Sequence, residues 1–370
     1  MPLENRWRHH LEQLRAEGRY RSLRPAAGID FSSNDYLGFG KIPWPQTEAL
    51  PASGTASRLL RGQHPLWEEV EARLAQWHGA EAALVFTTGY AANEGLLATL
   101  LEPDDTVFSD QANHASIIDG VRLTRARRVV YRHNDLSHLE DALREARPGR
   151  QTFIVTESLF GMDGDRAPLL GLVDLAERHG AALIVDEAHA TGCFGARGGG
   201  LVDELGLRPR VLATVHTGGK ALGVPGAYTA CGGLLREYLI NRCRHFIFTT
   251  ALPPAVAAWW RDAIERVQRA DEPRRRLHAN AQLFRGILVQ RGITCPGADF
   301  IAPVVFGADQ RAAAAATALE TQGYDVRAIR PPTVPAGSAR LRVSIHADHE
   351  RETIERVADA LSREMEKAAG

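Results

Sequence analysis

The chain has 370 residues, 44% of them hydrophobic and 24% charged, and a formal net charge of −1. That length suits one large domain or two ordinary ones, and the balanced charge gives no general attraction to nucleic acid or to an anionic membrane. No run of 18 apolar residues occurs, the first ten residues lack the apolar core of a signal peptide, and the four cysteines (Cys193, Cys231, Cys243, Cys295) form no CxxC pair. A transmembrane helix, a disulfide framework and a structural zinc site are therefore not expected, and a reducing cytosol is the expected compartment.

The first 40 residues read as a helical arm and a short extended piece. Pro65 opens a helix whose Leu66, Val70, Leu74 and Trp77 share one face and which Gly79 ends. Short apolar runs at 83–86, 106–109, 128–131, 152–156, 182–186, 211–215 and 227–232 read as strands, and helical stretches at 90–101 and 167–179 fall between them. Such alternation implies a mainly parallel sheet with helices on both faces. After about residue 254 the pattern changes to two long helical stretches, a strand at 303–306, an alanine-rich helix at 309–322, strands at 325–329 and 340–345, and a closing helix at 348–366. The expected division is an N-terminal arm (1–45), a large domain (46–254) and a smaller α+β domain (255–370).

The tetrad Asp186-Glu187-Ala188-His189 copies a box of RNA helicases, but no phosphate-binding GxxxxGK[ST] accompanies it, and GxSxG and GxGxxG are also missing. What remains is a set of groups at strand ends, where open parallel sheets bind ligands. Asp186 ends the most apolar strand and His189 follows in the same loop. Lys220 comes 34 residues after Asp186, in the bare loop His216-Thr217-Gly218-Gly219-Lys220-Ala221-Leu222-Gly223. A lysine bonded to the aldehyde of pyridoxal 5′-phosphate (PLP) needs such room, and its partner is a carboxylate that keeps the pyridine nitrogen protonated. Residues 87–93 (TTGYAAN) join a strand to a helix N-terminus, which suits a phosphate, and His114 follows the next strand and is placed to stack on a ring. Taken alone, Lys220 fits a surface lysine, Asp186 a helix N-cap, Gly89 a helix-start glycine, and both histidines structural roles. Their order and common placement are what point to a PLP site.

With these residues in view, the sequence resembles the α-oxoamine synthases, PLP enzymes of fold type I. The matching stretches are 31–38 (FSSNDYLG), 57–62 (SRLLRG), 88–93, 114–116 (HAS), 157–165 (ESLFGMDGD), 185–192 (VDEAHATG), 219–223 (GKALG), 248–254 (FTTALPP) and 333–342 (TVPAGSARLR), spread from about residue 15 to 350. Residues 333–342 are most like the branch that works in biotin synthesis.

The resemblance implies an α/β fold type I transferase, with a large mainly parallel domain and a small C-terminal α+β domain. It also implies a cytoplasmic homodimer that uses PLP and no metal and binds neither nucleic acid nor membrane. It implies that Lys220 holds the cofactor and moves the Cα proton, Asp186 pairs with the pyridine nitrogen, His189 bonds the ring hydroxyl, and His114 stacks on the ring and assists loss of CO2. Gly89, Tyr90 and Thr217 would hold the phosphate, with Thr249 and Thr250 reaching the phosphate of the neighbouring subunit. Arg342, helped by Asn34, would bind the amino-acid carboxylate, and Arg21 and Thr333 would lie along the acyl donor. The implied reaction is decarboxylative condensation of an amino acid, alanine by the 333–342 match, with a pimeloyl thioester of CoA or a carrier protein. The alternatives are a sister synthase using glycine or serine, a PLP aminotransferase or lyase, and a non-catalytic subunit, which the intact Lys220 disfavours. Arg342 taken alone also fits a strand with one face in water.

Three departures from the family stand out. Gly161 replaces a serine that touches the cofactor, so Gly161→Ser is expected to tighten cofactor retention. Gly218 stands where a larger apolar residue is usual. The segment between Gly38 and Gly54 is short and proline-rich, which bears on acyl preference.

Overall fold

A computed structural model of the chain describes residues 2–47, 49–145 and 150–369. They form two compact units, one of residues 34–161 and 166–274, the other of residues 1–33, 162–165 and 275–370.

The larger unit is built on a seven-stranded sheet in the order Ala82–Phe86, Ala227–Cys231, Ala213–Thr217, Ala182–Asp186, Thr152–Glu157, Thr106–Asp110, Arg127–Tyr131. Five strands run parallel, and Ala227–Cys231 is antiparallel to both of its neighbours. The strand expected at 211–215 lies two residues later, at Ala213–Thr217, so that Val215 stands opposite Asp186. Glu157 stands opposite Asp186 on the other side. The central strands are buried on both faces, as the crossover helices of a parallel sheet require. One apolar cluster fills a side of the sheet, with Leu84, Val107, Val155, Ile184 and Val215 from the strands packed on Leu96 and Leu97 of Gly89–Leu100 and Ile117 and Val121 of Ala115–Arg122.

Local signals set the helix ends. Pro65 takes the first turn of Pro65–Trp77, the His64 side chain accepts from Leu66 N, and Gly79 turns the chain at φ 60°. Gly180, at φ 61°, does the same after Leu169–Arg178. Thr88 caps Gly89–Leu100 by accepting from Ala91 N at 3.0 Å.

In the smaller unit an antiparallel sheet has the order Arg327–Ile329, Ala339–Ser344, Ile301–Gly307. The strand expected at 325–329 is two pieces, because the chain changes partner at Val326. Tyr324–Asp325 pairs in parallel with Ile29–Asp30, and Arg327–Ile329 pairs with Ala339–Ser344. Every residue of Ala339–Ser344 is buried, so the reading of Arg342 as one face of a half-wet strand does not hold. The closing helix is Arg351–Ala369, three residues later than expected at each end.

Behind the larger sheet Glu71 is buried and accepts from Arg58, from Arg236 Nη2 at 2.9 Å and from Val85 N at 2.9 Å. Removing one partner of a buried ion pair costs ~3–5 kcal/mol, because the remaining charges are left uncompensated. Glu71→Ala is expected to lower unfolding stability by about that amount, read as a fall in the denaturant midpoint at constant m-value.

Candidate active site

The site of the larger unit forms where the parallel strands end. Asp186 is buried, and both its oxygens are engaged: Oδ2 accepts from Asn93 Nδ2 at 2.6 Å and Oδ1 from Ala188 N at 2.8 Å. The same Asn93 amide also donates to Ser116 Oγ at 3.0 Å. Ser116 Oγ lies 2.8 Å from His114 Nδ1, so one row of polar groups joins Asp186 to His114. Beside it, Glu157 Oε1 accepts from His114 N at 2.7 Å. Burial, and then the charge of Asp186, push the Glu157 carboxyl up to about 8, with the Lys220 cation opposing.

Lys220 Nζ lies 2.9 Å from His189 Nε2, and His189 Nδ1 lies 2.7 Å from the Tyr36 hydroxyl. Tyr36 gives its own proton to Asn34 Oδ1 at 2.9 Å, so it accepts from Nδ1–H of His189, and the Nε2 lone pair faces Lys220. The Lys220 loop is closed by three backbone bonds, Gly218 N to Gly226 O (2.8 Å), Val224 N to Gly218 O (2.9 Å) and Gly223 N to Lys220 O (2.9 Å). A Cβ at Gly218 would collide with Val224 O and Trp260. The fully buried Trp260, anchored through Nε1 to Pro225 O at 2.8 Å, fills the side onto which a side chain at 218 would project.

A buried histidine pair ties the two loops together. The His216 ring stacks on His78 (4.0 Å between centroids) and on Tyr228 (4.7 Å). Thr191 spends its hydroxyl proton on Glu187 O, so His216 Nδ1 donates to Thr191 and Nε2 accepts from Thr214, each at 2.7 Å. Burial keeps both imidazoles neutral, pulling His78 down to about 3 and His216 well below its ordinary value.

Gly89 opens its helix opposite Thr217: a Cβ built on it would meet Thr217 alone, at 3.6 Å. The Tyr90 hydroxyl donates to Asp119. Thr249 is half-buried in the wall of a small cavity that Thr87 also lines, and Thr250 is exposed. Of the expected substrate residues, Arg342, Arg21 and Thr333 lie in the smaller unit. Arg342 Nη1 donates to Ser344 Oγ at 2.8 Å, and Arg21 Nη2 to Thr333 Oγ1 at 3.4 Å. Among the described residues one group of metal-type side chains, His346, Asp348 and His349, lies in this unit. Both nitrogens of His349 are already engaged, Nδ1 accepting from His346 N and Nε2 donating to Asp30 O at 2.7 Å.

The donor set of the larger unit fits a phosphorylated pyridine aldehyde. It offers an anchored carboxylate, an amine beside an imidazole lone pair, and a helix N-terminus facing a threonine. Sequence reading singled out the ends of this set and missed its middle. Asn93, Tyr36, Ser116 and Glu157 all sit inside the quoted motifs, but an asparagine or serine in a helix and a tyrosine in a loop say nothing of their partners.

The chain belongs to the class I and II aminotransferase family, which it matches over residues 26–361, and within it to the α-oxoamine synthases. It is 45% identical over 388 residues to an 8-amino-7-oxononanoate synthase of Chlorobaculum parvum, covering 98% of this chain and 99% of the relative. A solved structure of serine palmitoyltransferase from S. paucimobilis with bound PLP–myriocin superposes with a TM-score of 0.90 at 29% identity, covering 98% of this chain and 97% of that one. The 8-amino-7-oxononanoate synthase of Francisella tularensis gives 0.77 at 27% identity, covering 93% and 99%.

The geometry at Gly161 sets a steric cost against the donor that a serine would add. A Cβ there would collide with His189 Nε2, so the glycine is what lets the imidazole reach Lys220. Overpacking of this kind costs ~1–3 kcal/mol. Gly161→Ser is therefore expected to loosen the cofactor on dialysis and to slow turnover roughly ten- to a hundredfold, read from absorbance and initial rates. Glu187, fully buried, is also pushed up to about 8 by burial. Both raised carboxyls keep their protons in the folded state, so their contribution to stability is full below pH 4.5 and is lost as pH rises through about 8. Glu157→Gln and Glu187→Gln are each expected to flatten that decline in urea titrations run from pH 5 to 9.

Proposed function

We propose that the chain condenses L-alanine with a pimeloyl thioester to give 8-amino-7-oxononanoate, CO2 and the free thiol, a carbon–carbon bond-forming step of biotin synthesis. The observation that carries the reading is the Lys220–His189 pair beside the anchored carboxylate of Asp186, in a chain 45% identical to a synthase of that name.

PLP, when bound, supplies an electron sink for the charge left on the alanine Cα. Asp186 keeps a proton on the ring nitrogen, and Asn93 and Ala188 N hold it in place for that task. Thr217 and the backbone of Gly89 and Tyr90 take the phosphate, joined by Thr249 and Thr250 of a neighbouring subunit. His114, its ring fixed through Ser116, would help hold the cofactor and would polarise the acyl carbonyl. Lys220 Nζ takes the Cα proton, and the His189 lone pair steadies the resulting ammonium. His189 also reaches the ring hydroxyl, and Gly161 leaves it the space. Arg342, with Asn34, binds the alanine carboxylate through a guanidinium fork. Arg21 and Thr333 line the acyl chain. The balance is one Cα–acyl bond formed, with the acyl C–S bond and the Cα–carboxylate bond broken. The leaving thiolate takes a proton from solvent, and Lys220 returns to Cα the proton it removed.

A homodimer in the cytosol fits this reading. Leu60 and Phe248 are 76% and 71% exposed on adjoining segments next to Thr249 and Thr250, and the four cysteines are free thiols. No helix among the described residues is long and apolar enough to cross a membrane.

The purified protein is expected to be yellow, to change its spectrum with alanine, and to release CoA when pimeloyl-CoA follows. Lys220→Ala is expected to lose both the native band and turnover. A response to serine or glycine in place of alanine would move the substrate to a sister synthase, and a protein that stays colourless with added PLP would overturn the reading.

A further inference from the structure

A carboxylate–histidine pair stands at the strand ends among residues that the reaction leaves unassigned. Asp110 ends the strand Thr106–Asp110 and is buried, and His133 follows the neighbouring strand Arg127–Tyr131. Asp110 Oδ1 accepts from Ala112 N at 2.8 Å and Oδ2 from Asn134 N at 2.9 Å. His133 Nδ1 donates to Oδ1 at 2.7 Å, which fixes the plane of the imidazole. Held in that way, the ring meets the buried Phe160 edge-on, with 4.4 Å between centroids and 89° between planes. Asn134 takes left-handed backbone at φ 55°, which asparagine tolerates, and its Nδ2 donates to Arg166 O at 3.3 Å. Phe160 and Arg166 stand on the two legs of one turn. Leu159 and Arg166 pair across it, and Ala167 N donates to Ser158 O at 3.0 Å. Gly161 lies in that turn, directly after Phe160.

The turn carries the wall against which His189 rests. A side chain at 161 would strike Nε2, so the bare backbone of Gly161 borders that edge of the imidazole, while Tyr36 holds the Nδ1 edge. The place of Gly161 therefore fixes how Nε2 meets Lys220 Nζ, 2.9 Å away. Close-packed interiors pass on shifts of this kind rather than absorb them. Glu157 accepts from Gly161 N, and the legs of the turn are held from His133 and Asn134. We propose that His133 and Asn134 are positioning residues for the reaction, clamping the 159–166 turn so that Gly161 keeps the His189 lone pair on Lys220. His133 acts on the leg that enters the turn and Asn134 on the leg that leaves it. The inference rests on the reading of Lys220 as the base, with His189 beside it at the cofactor.

The test follows two quantities in the holoenzyme: release of PLP, by absorbance, and exchange of the alanine Cα hydrogen in deuterated water. His133→Asn keeps a donor for Asp110 and removes the ring edge from Phe160. Asn134→Gly suits the left-handed backbone and removes the bond to Arg166 O. His133→Asn is expected to speed release and slow exchange, each by roughly tenfold, and Asn134→Gly by about threefold. The alanine concentration for half-saturation is expected to move less than about twofold, since the loss falls on proton transfer and not on binding. The deciding comparison repeats both changes in a His189→Asn background. A residue that acts through His189 adds nothing there, whereas independent losses multiply. Unchanged release and exchange in His133→Asn, or effects of equal size with and without His189, overturn the assignment. If His133→Asn does not fold, Asn134→Gly carries the same comparison. Release of PLP needs no substrate. A wild type that exchanges no alanine hydrogen would therefore fail the proposed reaction and leave the release rates to decide on His133.

Discussion

The site depends on a carboxylate held in a place that penalises charge. Asp186 sits at the end of a strand buried on both faces, with Glu157 opposite it on one side and Val215 on the other. Two neighbouring carboxyls cannot both ionise cheaply in such surroundings. Asp186 has bonds from Asn93 and Ala188 to its oxygens, and Glu157 keeps its proton to about 8. The parallel register thus sets the two acids side by side, one bonded to Asn93 and Ala188 where a cation is to be bound and the other neutral and spent on holding the backbone of His114. Asn93, reaching from the helix after the first strand, makes the division firm and carries it on to Ser116.

Around that centre the hydrogen bonds have a direction. Asn34 takes the proton of Tyr36, Tyr36 takes that of His189, and His189 turns its lone pair to Lys220. A second chain does the same behind the sheet, where Glu187 O takes the proton of Thr191, Thr191 that of His216, and His216 accepts from Thr214. The first chain sets the protonation of the imidazole nearest the chemistry. The second locks the 187–191 loop to the strand that leads into Lys220, with two histidines kept neutral by burial.

Much of this was legible in the sequence because chemistry at strand ends leaves local marks. Asp186 and His189 share one loop, Lys220 lies among glycines, and Gly79 closes its helix where the pattern said it should. What was not legible is long-range. Nothing near His216 names His78 or Tyr228 as its stacking partners, and nothing in 227–232 tells that the strand runs against its neighbours between two others. The slip of the 211–215 expectation to Ala213–Thr217 has the same origin, since register belongs to the pairing with Ala182–Asp186 and not to the apolar run itself. Gly161 is a related case. A missing side chain reads as a lost donor until the imidazole filling its place is seen.

The meeting of Gly218 and Trp260 bears on how such a chain can change over time. The indole stands where a side chain on residue 218 would go, and Pro225 O holds it there. Neither position can drift alone. A larger residue at 218 meets both the indole and Val224 O, so replacing the tryptophan alone would not admit it, and a smaller residue at 260 opens a hole beside the loop that presents Lys220. Gly218, Val224 O and Trp260 therefore form one packed unit, so that a substitution at 218 or at 260 is felt directly by the loop that presents Lys220.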